Sequence, residues 1–528
     1  MKKKILISDK IAQEGLDLLE KNGSFEVVYK TDCDVEELKK QIKDAHALII
    51  RSATKVTEEI INASEKLEVI ARAGIGLDNV DIPRATEKGV VVMNTPGGNT
   101  VSTAEQAVGM IFAISRNTPQ ADASMKQQKW EKKKMEGVEL KDKTVAVIGL
   151  GRIGMEVARK CRGLGMRVIG YDPYIPAEKV REFEVEVVAL EEVWKLADYI
   201  TVHTPLTDQT RDIINKDVFP KLKPTVRLIN CARGGIYNEN DLYEALKEGK
   251  IAGAALDVFT EEPPKNIPPF HELENVVLTP HLGASTKEAQ VSVAVEAAQN
   301  IMEYLETGIA RSSVNFASLN MTEYNALKPF INLVEKMGYF QGAVLKGKIK
   351  TVQIYYSGEF GDYNLEPVTS AYLKGLIDPF IDWNVNYVNA PIIAKERGIK
   401  VQTGDDSEVR DYTHLVTIKA EGENGTNELW GTVIGKQPWI VKYDDYLVDF
   451  IPTGKMLVMH NNDVPNVIGS IGTFLGERNV NIANLHLART KRGGEALVIL
   501  ELDDELSQEF LDQLLELPQI IDLNFLSL

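Results

Sequence analysis

The chain has 528 residues, which is too long for one hydrophobic core, and three or four domains are expected. Its 60 basic and 77 acidic residues give a net charge of −17. This balance disfavours nucleic acid as a partner, because neutralising phosphates requires a basic surface. Three cysteines are too few for a disulfide framework, and no apolar stretch reaches the length of a membrane span. We therefore expect a cytoplasmic protein with reduced thiols and no membrane partner.

The first 95 residues alternate short apolar runs with amphipathic stretches, which predicts βα units and a parallel sheet. The predicted strands are Ile5–Ile7, Phe25–Tyr29, Ala47–Ile50, Leu67–Ile70 and Val90–Met93. We assign residues 1–99 to a first, flavodoxin-like domain, and a helix over 100–118 is expected to leave it. A long amphipathic helix, Thr286–Leu305, is expected to return, so that residues 286–319 complete this domain.

The same alternation restarts at Thr144 and predicts a doubly wound, Rossmann-type sheet within residues 100–285. Its predicted strands are Val145–Ile148, Arg167–Gly170, Tyr199–Val202, Arg227–Asn230, Ile251–Leu256 and Asn275–Leu278. The fold class is thus α/β, extended by two smaller units. Residues 320–452 predict an intervening α+β domain, with a helix at Asn325–Leu345 and strands such as Lys350–Tyr356, Thr413–Ala420 and Leu429–Ile434. Residues 453–528 follow the order βαββαβ, which is ferredoxin-like.

A glycine-rich turn, Gly149-Leu150-Gly151-Arg152-Ile153-Gly154, follows a predicted strand and opens a helix. One glycine permits the tight turn, one lets a pyrophosphate approach the backbone, and one allows the helix to pack closely on the strand. The pyrophosphate then lies at the helix N-terminus, where free N–H groups favour an anion. Asp172 follows the next strand and would accept a hydrogen bond from a ribose 2′-hydroxyl while repelling a 2′-phosphate. The predicted cofactor is therefore NAD.

Three candidate catalytic residues, Arg233, Glu262 and His281, follow predicted strands at their C-terminal ends, where doubly wound sheets bind their ligands. Oxidation of a secondary alcohol requires a base for the hydroxyl proton and a cation for a carboxylate and carbonyl. A guanidinium binds a carboxylate through two hydrogen bonds, and a carboxylate beside an imidazole favours the imidazolium. His203 is an alternative base, although we assign it with Thr204 and Pro205 to the floor of the cofactor site.

In these contexts the sequence resembles the D-isomer-specific 2-hydroxyacid dehydrogenases. The resemblance implies that Arg233 binds the substrate carboxylate and carbonyl, and that His281 is the acid/base. It also implies that Glu262 fixes the imidazole tautomer and raises its pKa, and that Asp257 contacts the nicotinamide side of the cofactor. The complete predicted cofactor site consists of Gly149, Gly151, Arg152, Ile153, Gly154, Asp172, His203, Thr204, Pro205, Cys231, Ala232 and Asp257. No metal is expected.

Two further arginines, Arg51 and Arg72, each end a strand of the first domain and are expected to face the cleft with Asn99. They exceed what one small carboxylate requires, which predicts a phosphate on the substrate. The segments Asn94–Asn99 and Pro280–Thr286 also resemble the phosphoglycerate branch of the family. This resemblance implies oxidation of D-3-phosphoglycerate to 3-phosphohydroxypyruvate, the first step of L-serine synthesis. The alternatives are a glyoxylate or hydroxypyruvate reductase and an NAD-sensing, corepressor-like binding protein.

The C-terminal segment resembles an ACT domain, a module that pairs across subunits and binds amino acids. Asn461, Asp463 and Asn481 match its effector-binding positions, and the resemblance implies L-serine as the effector. Asn466 departs from the pattern, which has glycine after Pro465. The intervening segment resembles the extra domain of long family members, for which regulation or tetramer assembly is implied. We therefore expect a homodimer or homotetramer.

Overall fold

The computed structural model describes residues 2–528 apart from 177, 179, 181–182, 318, 346, 361–362, 382–383 and 406–411. Its strands form four sheets, two of them fully parallel and two mixed or antiparallel. One sheet lies within each of the four predicted domains, whose exact boundaries remain predictions. The predicted fold class, α/β with two smaller α+β units, is confirmed.

The first sheet has five parallel strands in the order β2-β1-β3-β4-β5, which is the flavodoxin order. Its strands are β1 Lys3–Ile7, β2 Phe25–Tyr29, β3 Ala47–Ile50, β4 Val69–Arg72 and β5 Val91–Met93, and its helices are Gln13–Asn22, Val35–Ile42, Glu58–Ala63 and Ile82–Glu87. Strands β3 and β5 are buried along their whole length. Continuous apolar strands of this kind are typical of a parallel sheet covered on both faces.

Two helices cross between the first and second sheets. The helix Lys287–Thr307 packs Val293 and Ile301 into the core of the first sheet. The helix Thr100–Arg116 packs Ala107 into the core of the second sheet. The chain therefore passes between the two sheets twice, once before and once after the residues of the second sheet. We call the space between the loops that follow β4 in the first sheet and residues 227–230 in the second sheet the cleft.

The second sheet has seven parallel strands in the order β12-β11-β10-β9-β6-β7-β8, the Rossmann order with one added strand. Its strands are β6 Thr144–Ile148, β7 Arg167–Tyr171, β8 Glu186–Val187, β9 Tyr199–Val202, β10 Arg227–Asn230, β11 Gly253–Leu256 and β12 Val276–Leu278. Its α-helices are Thr118–Lys126, Arg152–Gly163, Leu190–Leu196 and Glu239–Lys247, and its 3-10 helices are Lys132–Lys134, Phe219–Lys221 and Phe270–Glu272. The sequence predicted six of these strands and missed β8, which has only two residues.

The third sheet has six strands in the order β14-β13-β15-β16-β17-β18. Its strands are β13 Ile349–Gly358, β14 Lys400–Asp405, β15 His414–Gly422, β16 Gly425–Ile434, β17 Gln437–Tyr443 and β18 Tyr446–Phe450. Its helices are Met321–Leu345, Glu366–Ile377, the 3-10 turn Asp378–Phe380 and Ala390–Glu396. Only β13 and β14 pair in parallel. The helix Met321–Leu345 packs Leu333 and Phe340 on the sheet, so this unit is α+β as predicted.

The fourth sheet is antiparallel in the order β20-β21-β19-β22. Its strands are β19 Lys455–Asn462, β20 Ile482–Arg489, β21 Glu495–Leu502 and β22 Ile520–Ser527, and its helices are Val467–Glu477 and Gln508–Leu515. These elements follow one another in the predicted βαββαβ order. Met456 and Leu497 pack into the core of the third sheet, so the two C-terminal sheets share apolar contacts.

A short segment, residues 386–388, joins the third unit to the first. Val388 is buried in the core of the first sheet. The side-chain amide of Asn386 donates a hydrogen bond to the Gly89 carbonyl at 2.7 Å. The Tyr387 hydroxyl donates to Glu335 on the long helix of the third unit at 2.5 Å. Within the part of the chain that the structure describes, no helix is long and apolar enough to cross a membrane.

Candidate active site

The three glycines of the turn after β6 differ in what surrounds them. Gly149 has a φ of +92°, which favours glycine, and a β-carbon there would lie 2.7 Å from the His203 carbonyl oxygen. A β-carbon on Gly154 would lie 1.9 Å from the Gly149 carbonyl oxygen, so the helix packs directly on the turn. A β-carbon on Gly151 would meet no described atom within 4 Å. Open backbone at a helix N-terminus fits a pyrophosphate.

Asp172 lies just past the end of β7, beside the glycine turn. One carboxylate oxygen accepts a hydrogen bond from the Leu150 amide and the other from the Tyr174 amide, both at 2.9 Å. Two backbone donors fix the orientation of the carboxylate at the rim of the cofactor site. Arg152 lies near Glu296, on the helix that crosses between the sheets. Burial raises the pKa of Glu296, and the charge of Arg152 offsets part of this rise. These positions fit NAD.

His203 is not placed to act as the acid/base. Its Nε2 makes a 2.9 Å hydrogen bond with the Thr201 hydroxyl. Burial lowers the pKa of His203 to about 4, so its imidazole is neutral at neutral pH. The remaining residues of the predicted cofactor site follow β9 and β10 or lie in the first turn of the helix after β6. They are Ile153, Thr204, Pro205, Cys231 and Ala232. Among the described residues the buried Thr204 hydroxyl has no hydrogen-bond partner.

His281 and Glu262 form a pair at the ends of β12 and β11. The Nδ1 atom of His281 lies 2.6 Å from a Glu262 carboxylate oxygen, and the other oxygen accepts from the Phe259 amide at 3.0 Å. Burial favours the neutral acid, but the hydrogen bonds from His281 and Phe259 and the charges of His281 and Arg233 outweigh it and lower the pKa of Glu262. Glu262 is therefore a carboxylate that holds Nδ1, and Nε2 is the ring nitrogen left for proton transfer.

Asp257 has a role that the sequence did not predict. It is fully buried, and its carboxylate accepts hydrogen bonds from the Leu282 amide at 2.8 Å and the Gly283 amide at 2.9 Å. Its backbone carbonyl accepts from the His281 amide at 2.8 Å. These bonds hold His281 in the left-handed region, with a φ of +55°, which few non-glycine residues adopt. Asp257 thus fixes the loop of His281, and its contact with the nicotinamide remains a prediction.

Two arginines from different sheets meet at Gly76. A β-carbon on Gly76 would lie 1.8 Å from Arg233 Nη2 and 2.9 Å from Arg72 Nη1, so these two nitrogens are at most about 4.7 Å apart. The Nε and Nη1 atoms of Arg72 are buried, and no described residue accepts a hydrogen bond from them. Burial first, and then the charge of Arg233, lower the pKa of Arg72 to about 10, which still leaves it charged at neutral pH.

Arg51 adds a third cation to this region. Its guanidinium donates to the Lys10 carbonyl at 3.1 Å, and burial lowers its pKa. Its charge also acts on Arg72. The buried side-chain oxygen of Asn99 has no partner among the described residues. Unsatisfied buried donors are rare in proteins, so a cluster of cations with free N–H groups indicates a site for an anion.

The three predicted effector residues do not meet within one chain. Asn461 on β19 pairs with Ala496 at one end of β21. Asn481 directly precedes Ile482, which pairs with Leu502 at the other end, six residues or about 20 Å away. The structure therefore does not bring these residues together within one chain, and their role in binding an effector stays a prediction.

Asp463 and Asn481 also have internal partners. The Asp463 carboxylate accepts from the Arg489 guanidinium at 2.9 Å and the Gly493 amide at 2.8 Å, which lowers its pKa. Asn481 donates to Asp503 at 2.6 Å. The buried side-chain oxygen of Asn461 has no partner in the described part of the chain.

The fold and the site define a dehydrogenase that binds a dinucleotide and an anionic hydroxyacid. Residues 108–283 match the family described as D-isomer specific 2-hydroxyacid dehydrogenase, NAD binding domain, and residues 326–443 match the D-3-phosphoglycerate dehydrogenase intervening domain. The chain is 42% identical to the D-3-phosphoglycerate dehydrogenase of Methanocaldococcus jannaschii, covering 99% of this chain and all of that relative. It is 39% identical to the same enzyme of Bacillus subtilis, covering 99% of both chains.

Among solved structures, D-lactate dehydrogenase from Aquifex aeolicus, complexed with NAD and lactic acid, superposes with a TM-score of 0.52 at 26% identity. That match covers 57% of this chain and 95% of the other. The chain therefore belongs to the D-3-phosphoglycerate dehydrogenase family, a branch of the D-isomer-specific 2-hydroxyacid dehydrogenases. It is an NAD-dependent dehydrogenase, and NAD accepts the hydride.

Changing Asp172 tests the basis of cofactor choice. The variant Asp172→Asn keeps an oxygen that accepts from Leu150 but loses the charge that repels a 2′-phosphate. We expect its kcat/KM with NADP to rise at least tenfold, since charge repulsion is removed at close range, while that with NAD falls less. Steady-state rates with both cofactors measure this. An unchanged NADP/NAD ratio in Asp172→Asn, with the fold intact, would show that another residue selects the cofactor.

Proposed function

We propose that this chain oxidises D-3-phosphoglycerate to 3-phosphohydroxypyruvate with NAD, the first step of L-serine synthesis. The observation that carries the proposal is the buried, unpartnered guanidinium of Arg72 within 4.7 Å of Arg233. One cation is enough for the substrate carboxylate. A second cation with free donors, and a third in Arg51, require a second anionic group on the same small molecule. A phosphate at carbon 3 supplies it.

Each residue of the site then has a separate role in the reaction. Arg233 binds the carboxylate and the carbonyl oxygen that develops at carbon 2. His281 Nε2 accepts the hydroxyl proton, and bound NAD would supply the acceptor for the hydride from carbon 2. Glu262 stabilises the resulting imidazolium through its 2.6 Å contact with Nδ1. Arg72 and Arg51 hold the phosphate and thereby orient carbon 2 toward the cofactor.

The proposal is tested by NADH formation, followed by absorbance, with D-3-phosphoglycerate and with D-glycerate as the matched substrate that lacks the phosphate. We expect kcat/KM to be at least 100-fold higher for the phosphorylated acid, since a charged hydrogen bond contributes about 1.5–3 kcal/mol. Equal rates would contradict a phosphate site. The reverse reaction with phosphohydroxypyruvate and NADH serves as a second check where the forward equilibrium is unfavourable.

The two alternatives predict different outcomes of this assay. A glyoxylate or hydroxypyruvate reductase would reduce the unphosphorylated oxoacids at least as well as phosphohydroxypyruvate. An NAD-sensing binding protein would bind NAD without turnover of any of these acids. The full-length relatives support neither alternative.

We also propose L-serine as the effector, bound where two chains pair. Since Asn461 and Asn481 lie about 20 Å apart along β21, a ligand that contacts both must lie between two chains. The free, buried oxygen of Asn461 supports a ligand at that end of the sheet. Adding L-serine to the same assay should lower the rate in the parent chain and not in Asn461→Ala. Equal rates with and without L-serine would contradict an effector role.

A homodimer or homotetramer is proposed from four exposed apolar side chains of the second unit, which lie within residues 101–130. Val101 and Phe112 on one helix, Met125 on the next, and Trp130 after it are exposed, with Trp130 80% accessible. Clusters of large apolar side chains at a surface mark contact sites, and a second copy of the chain is the partner we propose.

A cytoplasmic location is proposed from the absence of paired cysteines among Cys33, Cys161 and Cys231.

A further inference from the structure

Asp78 lies in the loop after β4 and reaches across the cleft to the second sheet. Its carboxylate accepts a hydrogen bond from Arg233 Nε at 3.1 Å. Asn79 fixes this loop to the segment after β3, because its side-chain amide donates to the carbonyls of Arg51 at 2.7 Å and Thr54 at 2.6 Å. Asp78 therefore presents its carboxylate to Arg233 from a well-anchored position on the opposite domain.

This contact determines which edge of Arg233 remains for the substrate. Nε is bound by Asp78, and Nη1 donates to the Ala232 carbonyl at 2.6 Å. Nη2 is the nitrogen that lies beside Gly76, opposite Arg72 Nη1. The Asp78 contact and the Ala232 contact together orient the planar guanidinium, so its free corner points into the anion site.

Stability does not account for the ion pair. The Asp78 side chain is 66% exposed and that of Arg233 29% exposed, and exposed ion pairs stabilise folds little. Within the described residues Asp78 has no other hydrogen bond or ion pair. An acid beside an anion site repels the substrate, while the charge of Asp78 also offsets part of the repulsion between Arg72 and Arg233.

We propose that Asp78 is a positioning residue, which holds Arg233 from across the cleft so that Nη2 stays aimed at the site of the substrate carboxylate, beside Arg72. This inference rests on the proposed function only in requiring a substrate carboxylate at Arg233. Because Asp78 belongs to the first domain and Arg233 to the second, the carboxylate site is complete only when the two domains are close. Substrate binding and cleft closure are therefore coupled through this contact.

Two variants separate positioning from charge. Asp78→Asn keeps an oxygen that accepts from Nε but loses the negative charge, whereas Asp78→Ala loses both. A positioning role predicts that kcat/KM for D-3-phosphoglycerate falls about tenfold in Asp78→Ala and stays within about twofold of the parent in Asp78→Asn. A purely electrostatic role predicts tighter substrate binding in both variants. The dissociation constant of NAD should change in neither.

The control is Asp44→Ala, which removes an exposed ion pair with Lys4 from the same domain, away from the cleft. It should match Asp78→Ala in melting temperature and the parent in kcat/KM. In an Arg233→Lys background, which lacks Nε–H, Asp78→Ala should have no further effect on kcat/KM. An undiminished tenfold loss in that background, or an equal loss in Asp78→Asn and Asp78→Ala, would overturn the proposal.

Failure of the proposed function can be distinguished from failure of this inference. If the parent enzyme does not oxidise D-3-phosphoglycerate, the phosphate assignment is wrong. The three variants are then compared with the 2-hydroxyacid that the parent does oxidise, because Arg233 binds the carboxylate common to the class. The same order of kcat/KM, with Asp78→Asn above Asp78→Ala, is expected there.

Discussion

His281→Ala should lower kcat for NADH formation by about 10³-fold, within the range by which a positioned general base accelerates proton transfer. The physical reason is that no other described side chain takes its place. His203 is bound to Thr201, and burial lowers its pKa to about 4. Added imidazole should restore part of the rate in His281→Ala, because the cavity left by the ring admits a soluble base.

Glu262→Gln separates the charge of the pair from its geometry. The amide oxygen can still accept from Nδ1, but the charge that stabilises the imidazolium is lost, and we expect a fall in kcat of about 10²-fold. His271→Ala, an exposed histidine in the 3-10 helix Phe270–Glu272, serves as the control and should match the parent. Parent-like turnover in His281→Ala without imidazole would show that a different group takes the proton.

Arg72→Met should raise KM for D-3-phosphoglycerate by about 10²-fold and leave KM for D-glycerate nearly unchanged. The guanidinium nitrogens that are lost have no other described partner, so the effect falls on the ligand alone. The free energy of unfolding should stay the same or rise by about 1 kcal/mol, because burying an unpaired charge beside Arg233 is unfavourable. Steady-state kinetics and urea unfolding measure the two effects.

A weaker affinity for D-3-phosphoglycerate together with an unchanged or higher free energy of unfolding would identify Arg72 as a ligand-binding residue. A residue retained for stability would lose both stability and activity when replaced. The control Arg84→Met removes a surface arginine that pairs with Glu87 in the same domain, and it should change neither KM. A drop in unfolding free energy for Arg72→Met, with equal changes in KM for both acids, would contradict a phosphate-binding role.

The sequence predicted the parallel sheets well because their strands are short runs of buried apolar residues. It predicted β14 and β17 poorly. Strand β14 is an edge strand without a buried residue, and β17 contains Pro438, which is atypical of strands. Their pairing depends on neighbours distant in sequence, such as β13 for β14.

In the candidate site, too, residues with a local sequence signal were predicted and residues that depend on distant contacts were missed. Arg233, Glu262 and His281 were predicted because each follows an apolar strand, and the structure brings Glu262 and His281 together at 2.6 Å. Asp78 was missed because an acid in an exposed loop has no local signal, and its contact with Arg233 exists only between domains. The loop-fixing role of Asp257 was missed because hydrogen bonds to backbone amides depend on the path of the chain. The distance between Asn461 and Asn481 within one chain could not be predicted, because it depends on the antiparallel pairing of the strands with β21.

The insertion of Val388 into the first sheet determines which part of the enzyme moves when the cleft closes. The third unit is anchored to the first through Val388 and Asn386, and the fourth packs on the third through Met456 and Leu497. Three of the four sheets are thus connected through packed side chains, and we expect the dinucleotide-binding unit to be the part that moves relative to them, about the two chain crossings. Through these contacts an effector bound at the C-terminal sheet is connected to the first sheet, which carries Arg51 and Arg72, and we expect such an effector to change the affinity for the hydroxyacid more than the affinity for NAD.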